Sequence, residues 1–570
     1  MTTTKSTPMG RTVGPQQTPV AYFSMEIALE SDIPTYSGGL GVLAGDTLRA
    51  AADLEFPMVG VTLVYRAGHF RQHLDEHGNQ TEEPERWDPG DRLPAVSAQA
   101  SITLEGRRVR IRAWPYLIRG ASGFGIPVYL LDTDDSSNAP EHRGLTDHLY
   151  GGDERYRLCQ EAILGIGGVR LLHAVGYTQI QTYHMNEGHS ALLGLGLLSH
   201  QETDFDAARA QVKKRCVFTT HTPVSAGHDR FGMDVVRRIA GDDVAEQITH
   251  IGGCEDGKLN MTRLALKCSR FANAVAARHA QISRSMFPEH SIVGITNGVH
   301  AGTWVAAPFQ KLFDRYIPGW HRQVQSLRHA VTIPVPDIAQ AHRLAKERLI
   351  ETVTRKVGVN LNPDVLTLGF ARRATSYKRA NLILSQPDRL REIASKHPLQ
   401  VIFAGKAHPK DEGGKELIRA IFRNASELKD MVTIVYLPNY DMALAHELCA
   451  GVDLWVNTPQ RPKEASGTSG MKAALNGVPS LSILDGWWIE GHVEGVTGWS
   501  IGESWEPQSS DGDDADALYY KLDRIARLFH TDQDGYTAIG RNAISLNGAH
   551  FNAQRMLEQY IRSAYIVPAD

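Results

Sequence analysis

The chain has 570 residues, 42% hydrophobic and 22% charged, the balance of a globular protein with room for two or three large domains. A net charge of -4 offers no basic face for nucleic acid, and no apolar run approaches the length of a membrane span. The five cysteines are scattered and lack a C-x-x-C pair, which points to reduced thiols rather than a disulfide frame or a zinc knuckle.

In chain order, "MTTTKSTPMGRTVGPQQTP" is polar and has no apolar core, so it is read as a disordered lead-in over 1–18 and not as a signal peptide; a cytoplasmic protein is expected. "YSGGLGVLAGD" then places Ser37, Gly38, Gly39 and Gly41 before a helical run, a turn that lets backbone N–H groups approach an anion. "PMVGVTLVYR", "IPVYLLD", "IQTYH" and "CVFTTH" read as strands, and "ASITLEGRRVRIRAWPYLI" as an inserted hairpin. "HMNEGHS" and "FTTHTPVSAGHD" each follow a strand. Their histidines and glutamate invite a metal, but His184 and Glu187 miss the H-E-x-x-H spacing and no metal is expected. Asn, Glu, His and Thr on strand-end loops equally suit a polyhydroxy ligand.

The helical "DIAQAHRLAKERLIETVTRKVG" lies near a domain boundary, and a second series follows. "VLTLGFA", "QVIFAG", "VTIVYLP", "DLWVN" and "PSLSIL" are short, apolar and separated by helical patterns such as "KRANLILSQPDRLREIASKH", the signature of a doubly wound parallel sheet. The expected fold is α/β, two open doubly wound domains facing each other. Their expected bounds are 19–305 and 306–545, with a C-terminal helix in 546–570 packing back on the first domain.

Ligands of such sheets sit at the carboxyl ends of the strands. There the sequence supplies Arg372, Arg373, Lys378, Arg379, Lys406 and Lys472, more cations than one phosphate requires. The last stands in "KEASGTSGMKAALNG", Lys463 to Gly477, where small residues enter a helix-forming run that Asn476-Gly477 stops. Such a junction turns unpaired N–H groups and the positive end of the helix dipole towards an anion. It is not an ATPase loop, because Met471 separates Gly470 from Lys472 and Ala473 follows the lysine.

Taken together, "AYFSMEIALE", "YSGGLGVLAGD", "NEGHSALL", "ARRATSYKR" and "EASGTSGMKAALNG", in that order, resemble the α-glucan phosphorylase family (glycogen, starch and maltodextrin phosphorylases) in its short bacterial form. The resemblance implies two facing Rossmann-like domains of GT-B type with the active site in the cleft between them, and phosphorolysis of terminal α-1,4-glucosidic bonds to α-glucose 1-phosphate. It implies pyridoxal 5′-phosphate bonded to Lys472 as a Schiff base, with Thr468, Ser469, Arg372 and Tyr440 holding the cofactor. Arg373, Lys378 and the backbone N–H of Gly39 match positions that hold inorganic phosphate or the phosphate of the product. Glu464, Ser466, Gly467 and Tyr377 match residues at the glucosyl hydroxyls, and Asn186, Glu187 and His189 lie near the sugar. His279 aligns with a histidine whose main-chain carbonyl faces the glucosyl ring.

Implied partners are glycogen or maltodextrin, phosphate and a second copy in a homodimer, with neither nucleic acid nor membrane. The larger relatives' regulatory N-terminal segment has no counterpart, so allosteric control is expected to be absent. Asp441 stands where those relatives place an arginine at the cofactor phosphate. Competing readings are a sugar-nucleotide glucosyltransferase of the same fold, such as a glycogen synthase, which would not need Lys472 in this loop, and a glycoside hydrolase built on two carboxylates among Glu464, Asp485, Glu490 and Glu494. A glucan-binding protein without turnover is the non-enzymatic alternative.

Overall fold

The computed structural model describes residues 12, 14–199, 204–503 and 510–566, and its framework is two large sheets, of nine and six strands. In the larger sheet the strands run in the order Ile292–Gly294, Phe271–Ala274, Cys216–Thr220, Thr182–Asn186, Val20–Ser24, Met58–Leu63, Gly125–Asp132, Arg107–Arg119 and Ala100–Leu104. All neighbours from the first of these to Gly125–Asp132 pair in parallel. The 100–119 hairpin extends this sheet: Arg107–Arg119 pairs antiparallel with Gly125–Asp132, and Ala100–Leu104 forms the edge. The hairpin's burial pattern alternates for that reason, whereas Val20–Ser24 and Met58–Leu63 are buried at every position, as strands covered on both faces must be.

The six-stranded sheet is parallel throughout, in the order Thr433–Leu437, Leu399–Ala404, Leu366–Ala371, Leu454–Asn457, Ser480–Ile483 and Gly498–Ile501. Numbered along the chain this is 3-2-1-4-5-6, and the parallel part of the larger sheet has the same sense of winding. Each sheet therefore has a switch point, where strand order reverses and the loops on either side diverge. One lies between Val20–Ser24 and Thr182–Asn186, the other between Leu366–Ala371 and Leu454–Asn457. Of "KRANLILSQPDRLREIASKH" only Pro387–Lys396 is α-helix, because Pro387 at the first turn starts a helix and cannot continue one; Leu382–Leu384 is a short 3-10 turn.

A hydrophobic cluster around Trp304, Phe309 and Phe313 takes Val42 from beside the larger sheet and Met471, Leu475 and Trp487 from beside the smaller. A hairpin, Arg71–Leu74 with Gln80–Glu83, adds a clasp between the two sets of loops. The Gln72 side chain donates to the Gly405 carbonyl at 2.9 Å and accepts from the Asn439 amide at 2.9 Å. The Gln80 side chain donates to the Ala407 carbonyl at 2.8 Å and accepts from the Ala407 amide at 3.0 Å.

The last helix, Ala553–Tyr560, packs Met556, Leu557 and Tyr560 into a cluster with Tyr22, Leu43 and Leu48. Of the expected lead-in, residues 1–11 and 13 lie outside the described residues, and Pro15–Gln17 form a 3-10 turn. Glu154–Val175 meets the length and composition of a membrane span, which corrects the expectation that no run does; 78% of its most apolar stretch is buried inside the fold.

Gly298 sits against the chain entering that last helix. A Cβ there would lie 2.1 Å from the Asn552 carbonyl oxygen and 2.3 Å from its carbon, and backbone atoms cannot rotate aside. Gly298→Ala should therefore cost at least ~1–3 kcal/mol. A lower thermal midpoint, with earlier proteolysis of the C-terminal segment, is the expected result; an unchanged midpoint would show that the segment is not held there.

Candidate functional site

At the switch point of the smaller sheet, the loop after Leu366–Ala371 carries Arg372 to Arg379, and the loop after Leu454–Asn457 carries Glu464 to Lys472. Their centre is Glu464. Its carboxylate accepts from Arg372 Nη2 at 2.8 Å and from Lys378 Nζ at 2.7 and 2.9 Å. Burial opposes its ionisation, yet these two cations hold the carboxyl down at about 2. The Glu464 backbone N–H donates to Asp485 Oδ2 at 2.9 Å, and Gly486 N–H to Asp485 Oδ1 at 2.9 Å. Burial, reinforced by the charge of Glu464, pushes Asp485 up to about 7.

Cationic capacity is left over. Arg372 Nε and Nη1 are buried and have no hydrogen-bond partner among the described residues. Arg373 is exposed, without a hydrogen bond or ion pair among the described residues, and its Cδ lies 3.7 Å from where a Cβ on Gly38 would be. That proximity brings the glycine turn of the larger sheet beside the basic loop of the smaller. Arg379 and Lys406 are otherwise committed: Arg379 to the Thr458 and Pro459 carbonyls, Asp511 and Asp514, and Lys406 to the Phe70 carbonyl.

Gly467, at φ 86°, makes a left-handed turn into the helix Thr468–Leu475. The first N–H groups of that helix have no intrahelical acceptor, and Thr468 and Ser469 supply two of them. The Ser469 hydroxyl accepts from Trp455 Nε1 at 3.2 Å, and the buried Ser466 hydroxyl has no partner among the described residues. Lys472 is buried, with Nζ 3.8 Å from the Trp304 ring centroid and no hydrogen-bond acceptor among the described residues. Burial lowers its pKa, opposed by the charge of Asp46, which itself accepts from Trp304 Nε1 at 2.9 Å. A reactive amine held partly towards its neutral form is one a carbonyl can meet. The residues present thus fit a cofactor with one carbonyl and one phosphate: an unpartnered amine, an unpartnered guanidinium edge and a helix N-terminus.

Tyr440 stands beside Arg372 and Tyr36, its phenol pushed up by burial. Asp441 caps the helix Met442–Gly451, its carboxylate accepting from Leu444 N–H at 2.8 Å. Tyr377 lies under Lys378, whose Nζ is 4.7 Å from the ring centroid.

Across the larger sheet, Gly39 opens the helix Gly39–Asp53. The amides of Ser37 and Gly38 are taken by Glu26 Oε2, at 2.5 and 3.1 Å, so Gly39 is the first N–H of the turn left for a ligand. Asn186 is fixed between Ser24 Oγ at 3.0 Å and His221 Nε2 at 2.7 Å. Glu187, at φ 73°, accepts from Gly188 N–H, His221 N–H and Thr222 Oγ1 at 2.7–2.9 Å, contacts that organise the loop around it. Among the described residues no hydrogen bond or ion pair joins Asn186, Glu187 or His189 to Arg372, Lys378 or Glu464. His184, which invited the metal reading, bonds Tyr565 and Thr219 in the core, and burial brings it down to about 3.

His279 lies in the helix Ala277–Met286, its ring accepting from Val275 N–H at 3.3 Å and lowered to about 4 by burial. A carbonyl at that place belongs to the helix ladder. His221, at the end of Cys216–Thr220, lies outside any helix. His221 and Glu26 were not among the sequence candidates, although each follows an apolar strand run, and Asp485 entered only as a carboxylate of the competing hydrolase reading.

Residues 23–106 and 224–496 match the carbohydrate phosphorylase family. The chain is 36% identical to the maltodextrin phosphorylase of Thermococcus litoralis, over 96% of this chain and 70% of the relative. It is 37% identical to the glycogen phosphorylase of Mycobacterium tuberculosis, over 96% and 71% respectively. An uncharacterized protein of Methanocaldococcus jannaschii matches at 30% identity over 96% of this chain and 99% of its own length. With most of the chain matched by the family and by these relatives, the protein belongs to the carbohydrate phosphorylases.

Proposed function

We propose that the chain catalyses reversible phosphorolysis of terminal α-1,4-glucosidic bonds in glycogen or maltodextrin, releasing α-D-glucose 1-phosphate with retention, in a cleft between two Rossmann-like domains. The observation that carries this reading is the cationic surplus beside the glycine turn: Glu464 is the one carboxylate paired with Arg372 and Lys378, while Arg373 and the buried edge of Arg372 remain without partners among the described residues. Relatives named maltodextrin and glycogen phosphorylase support the substrate class.

Bound at Lys472, with Arg372, Tyr440 and the Thr468–Ser469 amides around its phosphate, pyridoxal 5′-phosphate supplies an acidic phosphate beside the reacting one. Arg373, Lys378 and the Gly39 amide hold inorganic phosphate against the anomeric carbon and offset its charge. Glu464, Ser466 Oγ, Gly467 and Tyr377 orient the glucosyl hydroxyls; the unpartnered Ser466 hydroxyl is ready to do so. Glu464 serves both sides, because its contact with Lys378 ties the sugar subsite to the phosphate subsite. Asn186, Glu187 and His189 line the glucan side, and the backbone of His221 takes the role the resemblance gave to His279.

Glucose 1-phosphate release from a maltooligosaccharide series should require inorganic phosphate; release from no chain length, with protein carrying its cofactor, would overturn the reading. Lys472→Ala should fold, lack the absorbance of bound pyridoxal phosphate and lose at least ~10³-fold in turnover. Asp485 gives a pH signature in stability. It binds its proton more tightly folded than unfolded, so its contribution is full below the ordinary value of 3.8 and is lost as pH rises to about 7. Asp485→Asn should flatten the fall in thermal midpoint between about pH 5 and about pH 7, a difference on the order of 2 kcal/mol, with equal slopes in both proteins as the refuting result.

A further inference from the structure

His189 follows the strand Thr182–Asn186, and its ring is held from one side only. Nε2 lies 3.2 Å from Asp229 Oδ2. The same oxygen accepts from Arg157 Nη2 at 2.7 Å, and Arg157 also approaches Glu161 Oε1 at 3.2 Å. The Arg157 guanidinium lies over the Tyr150 ring, 4.9 Å from its centroid, and Tyr150 donates to Glu26 Oε1 at 3.0 Å. Glu26 is the residue that takes the Ser37 and Gly38 amides, so one chain of contacts runs from the glycine turn to His189.

Burial and the charge of Asp229 push the Glu161 carboxyl well up. Burial opposes ionisation of Asp229 as well, but hydrogen bonding from His189 and the charge of Arg157 hold it well below the usual carboxylate range. Asp229 is therefore an acceptor without a proton to give, and the imidazole nitrogen facing it must carry the hydrogen. In the neutral ring the other nitrogen is then a bare acceptor. That nitrogen, Nδ1, is buried and has no partner among the described residues.

We propose that Asp229 is a positioning residue that fixes His189 with its proton on Nε2, leaving Nδ1 to accept a hydrogen bond from a hydroxyl of the bound glucan. The inference rests on the phosphorylase reading for the identity of the ligand, but the tautomer stands apart from it. A ring free to turn would offer a donor or an acceptor at random; a neutral ring with Nε2–H turned to Asp229 offers an acceptor at Nδ1. Glucan is then selected by a hydroxyl hydrogen at a fixed point, which a deoxygenated analogue lacks.

The test uses the full chain with its histidines labelled with ¹⁵N, the His189 signals being identified by their loss in His189→Gln. The expected spectrum shows protonated Nε2 and unprotonated Nδ1, with the Nδ1 resonance moving when maltoheptaose is added. A proton on Nδ1 in the wild-type protein, or an Nδ1 signal indifferent to maltoheptaose, overturns the proposal without needing any further variant. In kinetics, Asp229→Asn should raise KM for maltoheptaose about tenfold, keep KM for phosphate within about twofold and mix the tautomers, while Asp229→Glu recovers part of the loss. Equal changes in both KM values, or none in either, would reduce Asp229 to a structural residue. Wild-type protein that releases no glucose 1-phosphate would fail the phosphorylase reading instead, and the tautomer measurement would still decide the contact.

Discussion

A buried carboxylate between two cations governs the arrangement of the site. Glu464 is ionised where burial alone would keep it neutral, and it stays so only because Arg372 and Lys378 reach it from the loop of a different strand. That requirement fixes the two loops at the switch point relative to each other. It also leaves the far edge of Arg372 pointing away from its partner, without an acceptor among the described residues. Breaking such a buried pair by removing one member exposes the other to the full cost of desolvation. The site's charge is therefore concentrated by the same interaction that holds its shape.

The larger sheet uses carboxylates in a different manner. Glu26 and Glu187 each collect backbone amides of neighbouring loops, Ser37 and Gly38 in one case and Gly188 and His221 in the other. They act as anionic templates around which loops fold, and the amides they consume are unavailable to substrate. What they leave open defines the surface: Gly39 in the turn and Nδ1 of His189 in the loop. One half of the site thus presents spare positive charge and the other presents oriented neutral groups. A phosphate and a sugar make those two demands.

Much of this was legible in the sequence. The strand runs from "PMVGVTLVYR" to "PSLSIL" are apolar over short stretches because both faces are covered, and the loops after them carry the charged residues. The small-residue junction before Lys472 announced a helix N-terminus, and the structure has one beginning at Thr468. Other parts depended on contacts distant in the chain. Nothing around Arg379 distinguishes it from Arg373, yet Asp511 and Asp514 claim the first and not the second. Asp485 gains its behaviour from burial beside Glu464, and Asp229 from Arg157, pairings that no local pattern encodes. The "RVRIRAWPYLI" strand reads as one arm of a hairpin, and only its pairing with Gly125–Asp132 reveals that the hairpin extends the main sheet.

The hairpin clasp of Gln72 and Gln80 bears on the conditions under which the site must work. A reaction that consumes phosphate bathes the protein in a small divalent anion, and any join made of exposed ion pairs would be competed for by that anion and screened as its concentration rose. Side-chain amides bonded to backbone amides offer nothing for it to displace. The Gln72 and Gln80 contacts of the clasp are thus indifferent to ionic strength, whereas the ion pair of Lys415 with Glu82, 3.0 Å long beside them, is the part of the join that salt weakens.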